Sequence, residues 1–292
     1  MIASNPAHRL WVRTVPVLFV FLWATGFIGA KFGLPYAEPM TFLAMRMGLA
    51  ALLLLAFALL TRAPWPPNPM AALHVTVAGL LVHGGYLGGV FEAIRHGMPS
   101  GMVSLIVGMQ PVLTSVAAIL VLKERLSLRQ WMGLALGLVG LALVLGNRVS
   151  FADLTWQSGA MAVFALVSIS LGTVYQKRFF AGVDLRTGGV LQYLASGLCY
   201  AGLAWAFETR VVDWSPDFIL ALGWSVVALS LGAVALLYRL IRDGEASRVS
   251  SLLYLVPPVT ALIAFACFDE TLTWPAMGGM AVVALGVALV VI

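Results

Sequence analysis

The sequence predicts an all-α integral membrane protein: ten transmembrane helices arranged as two inverted five-helix repeats, residues 1–146 and 147–292. Three observations lead there. Hydrophobic residues make up 61% of the chain and charged residues only 10%. Soluble domains carry about 25% charged residues, so these few could not cover a soluble protein of this size. The apolar residues also fall into stretches close to the roughly 20 residues that a helix needs to cross a hydrocarbon core. Finally, the chain repeats itself at an offset of 146. Pro111 precedes Glu124 by thirteen residues, as Pro257 precedes Glu270, and Leu126, Ser127, Gly133 and Gly140 fall on Leu272, Thr273, Gly279 and Gly286. An internally duplicated, all-membrane chain is the usual build of a secondary transporter, with its site between the halves.

The ten segments are expected at about 13–32, 40–61, 72–94, 101–122, 128–146, 158–177, 187–207, 217–239, 249–268 and 274–292. The first follows Arg9 and Arg13 and carries Trp23. It lacks a small-x-small cleavage site before Lys31, so it reads as a retained helix rather than a signal peptide. The second holds Arg46 within the span. The third contains His83 and Tyr86 among Gly79, Gly84, Gly85, Gly88 and Gly89, and the fourth contains Gln110 and Pro111. Glu124 follows, with Ser127 placed as the N-cap of the fifth helix. The fifth is spaced with Gly133, Gly137 and Gly140. The sixth carries Ser168, Tyr175 and Gln176, and the seventh Gln192, Tyr193 and Ser196. The ninth contains Tyr254 and the Pro257-Pro258 doublet, and Thr273 then stands as the N-cap of the tenth, with its Gly279 and Gly286. The glycines of the fifth and tenth helices read as packing or homodimer faces. Cys199 and Cys267 lie in apolar runs and read as buried, inert thiols.

An even number of spans puts both termini on one side. With a cytoplasmic N-terminus, only Lys31, Arg95, Arg148 and Arg210 of the 17 Lys and Arg fall outside and Arg46 lies within a span, so the other twelve are inside. That asymmetry fits the positive-inside rule and makes both termini cytoplasmic. Five helices per half then invert the second repeat, placing Glu124 at the inner face and Glu270 at the outer face. The net charge of +5 is this same asymmetry. No clustered basic face points to nucleic acid.

Together these residues resemble the drug/metabolite transporter superfamily, and within it the ten-helix EamA-type exporters. The similarity lies in the two copies of a mid-helix proline, a Glu followed by Leu and Ser/Thr, and a glycine-rich helix, with Leu22-Trp23 in the first span and Arg46 in the second. The second copy departs from the first in having Pro257-Pro258 where the first has Gln110-Pro111. The resemblance implies a bacterial inner-membrane exporter of amino acids, aromatic ones included, or of other metabolites or drugs.

Groups that are costly in hydrocarbon point to the site, because an unpartnered polar group there costs several kcal/mol. Arg46 lies about six residues, roughly 9 Å, below the outer end of its helix. It is either a structural group bonding carbonyls or headgroups, or a cavity-facing anchor for a carboxylate. Gln192 is its counterpart in the second repeat. His83, with Tyr86 one turn on, is either a satisfied structural histidine or a substrate or proton-binding group. Pro111 and Pro257 each free a backbone carbonyl, which places Gln110 and Tyr254 at a cavity or merely at a kink. The expected substrate lining is Trp23, Arg46, His83, Tyr86, Gln110, Tyr175, Gln192 and Tyr254. Pro111, Pro257, Glu124 and Glu270 mark helix breaks and gates. Aromatic faces and freed carbonyls near Pro257 would take a substrate ammonium.

Other chemistries find no support. The sequence has no H-E-x-x-H, no G-x-S-x-G and no phosphate loop, and no Cys/His spacing for a metal. No cofactor is expected. The expected partners are a small-molecule substrate and the lipid bilayer, with proton coupling and a homodimer left open. A passive facilitator is the rival reading, and an intramembrane protease using His83 with Ser104 or Ser168 the remote one.

Overall fold

The structure, a computed structural model, describes residues 6–98, 100–145, 155–180, 182–243, 246–268 and 273–291. Among them the helical segments group into ten runs. These are α1 (Pro6–Gly33), α2 (Pro39–Leu60), α3 (Pro69–Arg95), α4 (100–122), α5 (Leu128–Leu145), α6 (Trp156–Phe179), α7 (Leu185–Phe207), α8 (216–243), α9 (246–268) and α10 (Trp274–Val291). Seven of them, α2, α3 and α6 to α10, contain a helix long and apolar enough to cross a membrane, while Thr14–Gly26, Gln110–Leu122 and Leu128–Val144 are shorter apolar helices.

Helix ends follow local chemistry. Pro39, Pro69 and Pro216 open their helices at positions where a backbone N–H would lack an intrahelical partner anyway. Asn68 and Ser215 cap through their side chains. Asp184 caps α7 through the Arg186 N–H at 2.9 Å, and the Arg186 side chain bonded to it holds its carboxyl below the usual carboxylate range. Ser127 and Gln130 form a capping box at α5: the Ser127 N–H donates to Gln130 Oε1 at 2.8 Å, and the Gln130 N–H returns to Ser127 Oγ at 3.3 Å. Thr273 accepts from the Ala276 N–H at 3.4 Å.

Glu124 bonds the second half of the chain. Lys123 ends its helix in a left-handed conformation, φ 57°, and the chain turns Glu124 toward α9. There its carboxylate accepts from the Ala246 N–H at 2.9 Å and from Ser247 Oγ at 2.8 Å. An anion at a helix N-terminus is stabilised by the helix dipole, so Glu124 ties the end of α4 to the start of α9. Glu270 lies outside the described residues.

Two helix pairs frame the molecule, and each runs antiparallel. In α5 and α10, Gly133 faces Gly286 and Gly140 faces Gly279. A Cβ added at Gly140 would lie 2.7 Å from Val283 N and 2.8 Å from Gly279 O. The glycines expected as packing or dimer faces are therefore used within the chain. Helices α2 and α7 are tied at both ends. At one end the Glu208 carboxylate accepts from the Met40 and Thr41 N–H groups at 2.8 and 2.7 Å. Glu38 reciprocates by accepting from Thr209 Oγ1 and N–H at 2.5 and 2.6 Å, and the Thr209 hydroxyl bond holds its carboxyl below the usual range. At the other end Arg186 donates to Thr61 Oγ1 at 2.7 Å and Thr187 to the Pro64 carbonyl at 2.8 Å.

Burial follows a membrane pattern. Leu52, Leu60, Leu120, Leu198 and Phe207 are exposed, whereas Arg46, His83, Gln110, Gln176 and Gln192 are buried. Trp156, Trp205, Trp214 and Trp274 are exposed near helix ends, the placement of an interfacial aromatic belt. Cys199 is exposed on α7 rather than buried, because it belongs to the outward face that also carries Leu194 and Leu198.

The α5–α10 contact is open to test. Gly140→Leu drives a side chain into the α10 backbone, and overpacking costs about 1–3 kcal/mol. The melting temperature of the purified protein should fall. An unchanged value would show that the two helices do not meet at Gly140.

Candidate substrate site

Two stretches of irregular helix set the geometry of the interior. Residues Leu80–Gly85 of α3 and Ser225–Ala233 of α8 are π-helical. Under the 146-residue offset they overlap, so each half carries its irregular segment at the same place in its third helix. π-bulges occur mostly as functional features. In hydrocarbon the loosened backbone must find partners inside the protein.

One face of α7 supplies them. Tyr193, Ser196 and Tyr200 recur at helical spacing. Tyr200 donates to the His83 and Gly84 carbonyls at 2.5 and 2.7 Å, and Ser196 Oγ to the Gly79 carbonyl at 3.2 Å. Tyr193 donates to the Ser230 carbonyl of α8. Glycine allows this approach, since a Cβ at Gly79 would lie 2.5 Å from Gln192 Cα. Gly85 and Gly89 bring α3 equally close to Ser168 and Met161 of α6.

Polar side chains converge here. The Arg46 Nε donates to Ser230 Oγ at 3.0 Å, and Tyr193, Tyr200 and Tyr86 lie near it. The Trp23 side chain lies beside Tyr86. His83 packs on Tyr193 with ring centroids 4.6 Å apart. A directed chain then crosses four helices. Tyr238 gives its proton to Gln192 Oε1, so its oxygen receives from His83 Nε2 at 2.6 Å. Gln192 Nε2 donates on to Gln176 Oε1 at 3.1 Å. The chain ends on Gln176 Nε2, which is buried without a hydrogen-bond partner. A buried donor left open in this way calls for an explanation. Among the described residues no cluster of His, Cys, Asp or Glu could hold a metal.

Of the expected lining, the structure brings Trp23, Arg46, His83, Tyr86 and Gln192 into one network. Gln110 adjoins it, donating to Thr173 at 3.4 Å one turn from Gln176. Tyr175 does not join; it bonds His74 Nδ1 at 2.6 Å and packs on Phe179 with centroids 4.6 Å apart. Tyr254 donates to the Leu134 carbonyl at 3.2 Å and lies over Gly137, where a Cβ would be 2.5 Å from its ring. It is an α9–α5 packing residue. Pro111 and Pro257 stand at breaks: α4 is interrupted before Gln110, and α9 passes through a 3-10 turn at Leu252–Leu255. Tyr200, Ser230 and Tyr238 were not foreseen. Tyr200 could have been found as the third member of the Tyr193, Ser196 stripe. Ser230 is the repeat counterpart of Gly84, and Tyr238 was masked by its neighbour Arg239, which marks a helix end.

Comparison with known proteins agrees with this architecture. The model of the EamA-like transporter family matches residues 11–146 and again 157–292, two stretches offset by the repeat length. The chain is 28% identical to the uncharacterized transporter YvbV of Bacillus subtilis over 93% of its length and 88% of that protein. It is 25% identical to a Salmonella typhimurium protein named "Probable amino-acid metabolite efflux pump", covering 92% of this chain and 91% of the relative. The uncharacterized inner membrane transporter YedA of Escherichia coli is 26% identical over 88% of this chain and 84% of its own. A solved crystal structure superposes with a TM-score of 0.79 over 97% of both chains at 19% identity, a likeness of fold.

The α7 seam predicts a stability effect. Tyr200→Phe leaves two buried carbonyls without their shared donor. Interhelical bonds in model peptides are worth about 1–2 kcal/mol, and a loss of that size should lower thermal stability while Tyr36→Phe, at an exposed hydroxyl, does not. Equal melting of the two variants would refute the seam.

Proposed function

The chain belongs to the EamA-like transporter family, and from that premise we propose that it is a secondary transporter exporting small carboxylate-bearing metabolites, amino acids among them. Its setting is the inner membrane of a bacterium, with both termini cytoplasmic. All ten helical runs cross the bilayer in this reading, and the second five invert the first. The antiparallel course of α2 against α7 and of α5 against α10 supports that inversion, because the members of each pair occupy equivalent places in the two halves. Two inverted halves provide two nearly equivalent end states, one open to each side.

The observation that carries the reading is Arg46, a guanidinium buried among Trp23, Tyr86, Tyr193 and Ser230 where the two halves meet. A guanidinium matches a carboxylate in charge and in hydrogen-bond geometry. The aromatic rings offer apolar walls for the remainder of the solute. His83 and its chain to Gln176 complete the polar side, and His83 is the candidate carrier where transport is coupled to protons. Glu124, joining α4 of one half to α9 of the other, is placed to act as an inner gate.

Purified protein in liposomes tests this reading with labelled amino acids and related carboxylates. Arg46→Gln should reduce transport at least about tenfold, the effect of losing about 1.4 kcal/mol of binding, in protein that remains monodisperse. Arg46→Lys should retain part of it. Full transport by the folded Gln variant would remove Arg46 from the substrate site.

A further inference from the structure

The deep interior carries positive charge and no carboxylate, and several of its acceptors already receive protons. The twelve Asp and Glu of the sequence, from Glu38 and Glu92 through Asp153 and Glu208 to Asp269 and Glu270, all lie near the ends of the apolar segments or between them. None stands in the middle of a span, at the depth of Arg46. Backbone acceptors in and beside the two π-helical segments already receive protons: Gly79 from Ser196, His83 and Gly84 from Tyr200, and Ser230 from Tyr193. Gln192 Oε1 receives from Tyr238 and Gln176 Oε1 from Gln192. Beside these, the Arg46 guanidinium and the unpartnered Gln176 Nε2 can donate, and the unpartnered Thr114, Ser115 and Ser170 hydroxyls can donate or accept but carry no charge. The interior thus holds a cation with no carboxylate at its depth, so its charge favours a carboxylate over an ammonium.

We propose that this site selects small carboxylates with an aromatic or branched apolar tail and no ammonium group, and disfavours the zwitterion of the same skeleton. The inference rests on the reading of Arg46 as the carboxylate anchor. An anion neutralises a buried guanidinium, which removes a standing electrostatic cost. A zwitterion brings the same carboxylate together with a cation, which must then lose water without gaining a carboxylate partner. Aromatic rings supply some cation attraction, but the nearby Arg46 charge opposes a second cation among the same phenols.

Three probes of one skeleton separate these cases: 3-phenylpropanoate, L-phenylalanine and 2-phenylethylamine at neutral pH. Binding to the purified full-length protein is read by ligand-induced thermal stabilisation and by competition against labelled 3-phenylpropanoate. The expected result is half-saturation by 3-phenylpropanoate at a concentration at least about tenfold below that of phenylalanine, equivalent to about 1.4 kcal/mol, and no competition by the amine. Arg46→Gln should abolish binding of both carboxylates, and Arg46→Lys should keep their order with weaker affinity, which guards against a Gln variant that does not fold. Phenylalanine binding as tightly as 3-phenylpropanoate, competition by the amine, or no binding of any probe would overturn the proposal. The first of these, with Arg46→Gln still abolishing binding, would leave the anchor in place and refute only the selectivity. Unaltered binding in a folded Arg46→Gln variant would refute the anchor itself.

Discussion

Backbone carbonyls loosened at depth must be bonded by the protein, because hydrocarbon offers them nothing. The π-helical segments of α3 and α8 create that demand, and the Tyr193, Ser196 and Tyr200 face of α7 answers it. Much else depends on this exchange. It requires α3 to approach α7 closely, which Gly79 permits. It sets Ser230 where Arg46 can reach it and turns His83 to Tyr238. It also couples the halves, since α7 belongs to the second repeat and reaches into α3 of the first. The α2–α7 ties at both ends hold this pair as a unit, while the α5–α10 glycine contact forms a second pair. The polar network lies on the elements that join the two halves.

Charge placement in the same interior is one-sided. A buried guanidinium costs several kcal/mol unless it is bonded or neutralised. The Ser230 hydroxyl meets part of that cost, and an anionic solute would meet more. A buried cation with no carboxylate at its depth favours an anion beside it over a second cation. The carboxylates of this chain are used elsewhere. Glu208, Glu38 and Glu124 bind helix starts and loops at the membrane faces, where the helix dipole favours them.

Much of the architecture was legible in the sequence because the bilayer imposes a simple rule on composition and length. The 146-residue repeat, the glycine faces of α5 and α10, and the N-caps Ser127 and Thr273 were all readable from spacing. Arg46, His83, Tyr86, Trp23 and Gln192 were readable because deep polar groups are costly and few. The π-helical segments were not, since no residue type marks them and the helical periodicity of α3 and α8 continues through them. Tyr175 and Tyr254 show the limit of depth as a guide: a tyrosine deep in a span can equally bond a neighbouring helix, as Tyr254 bonds Leu134. Glu124 shows another limit. Its partner lies at Ala246, in the other half of the chain, and local capping rules could not find it.

Access to Ser230 tests the central claim, that the Arg46 network is a solute site reached in turn from both sides. Ser230→Cys in a Cys199→Ala, Cys267→Ala background, reconstituted in liposomes of one orientation, is exposed to a membrane-impermeant thiol reagent from each face separately. The account predicts modification from either face, with loss of transport in both cases. Modification from one face only, or from neither, would contradict it.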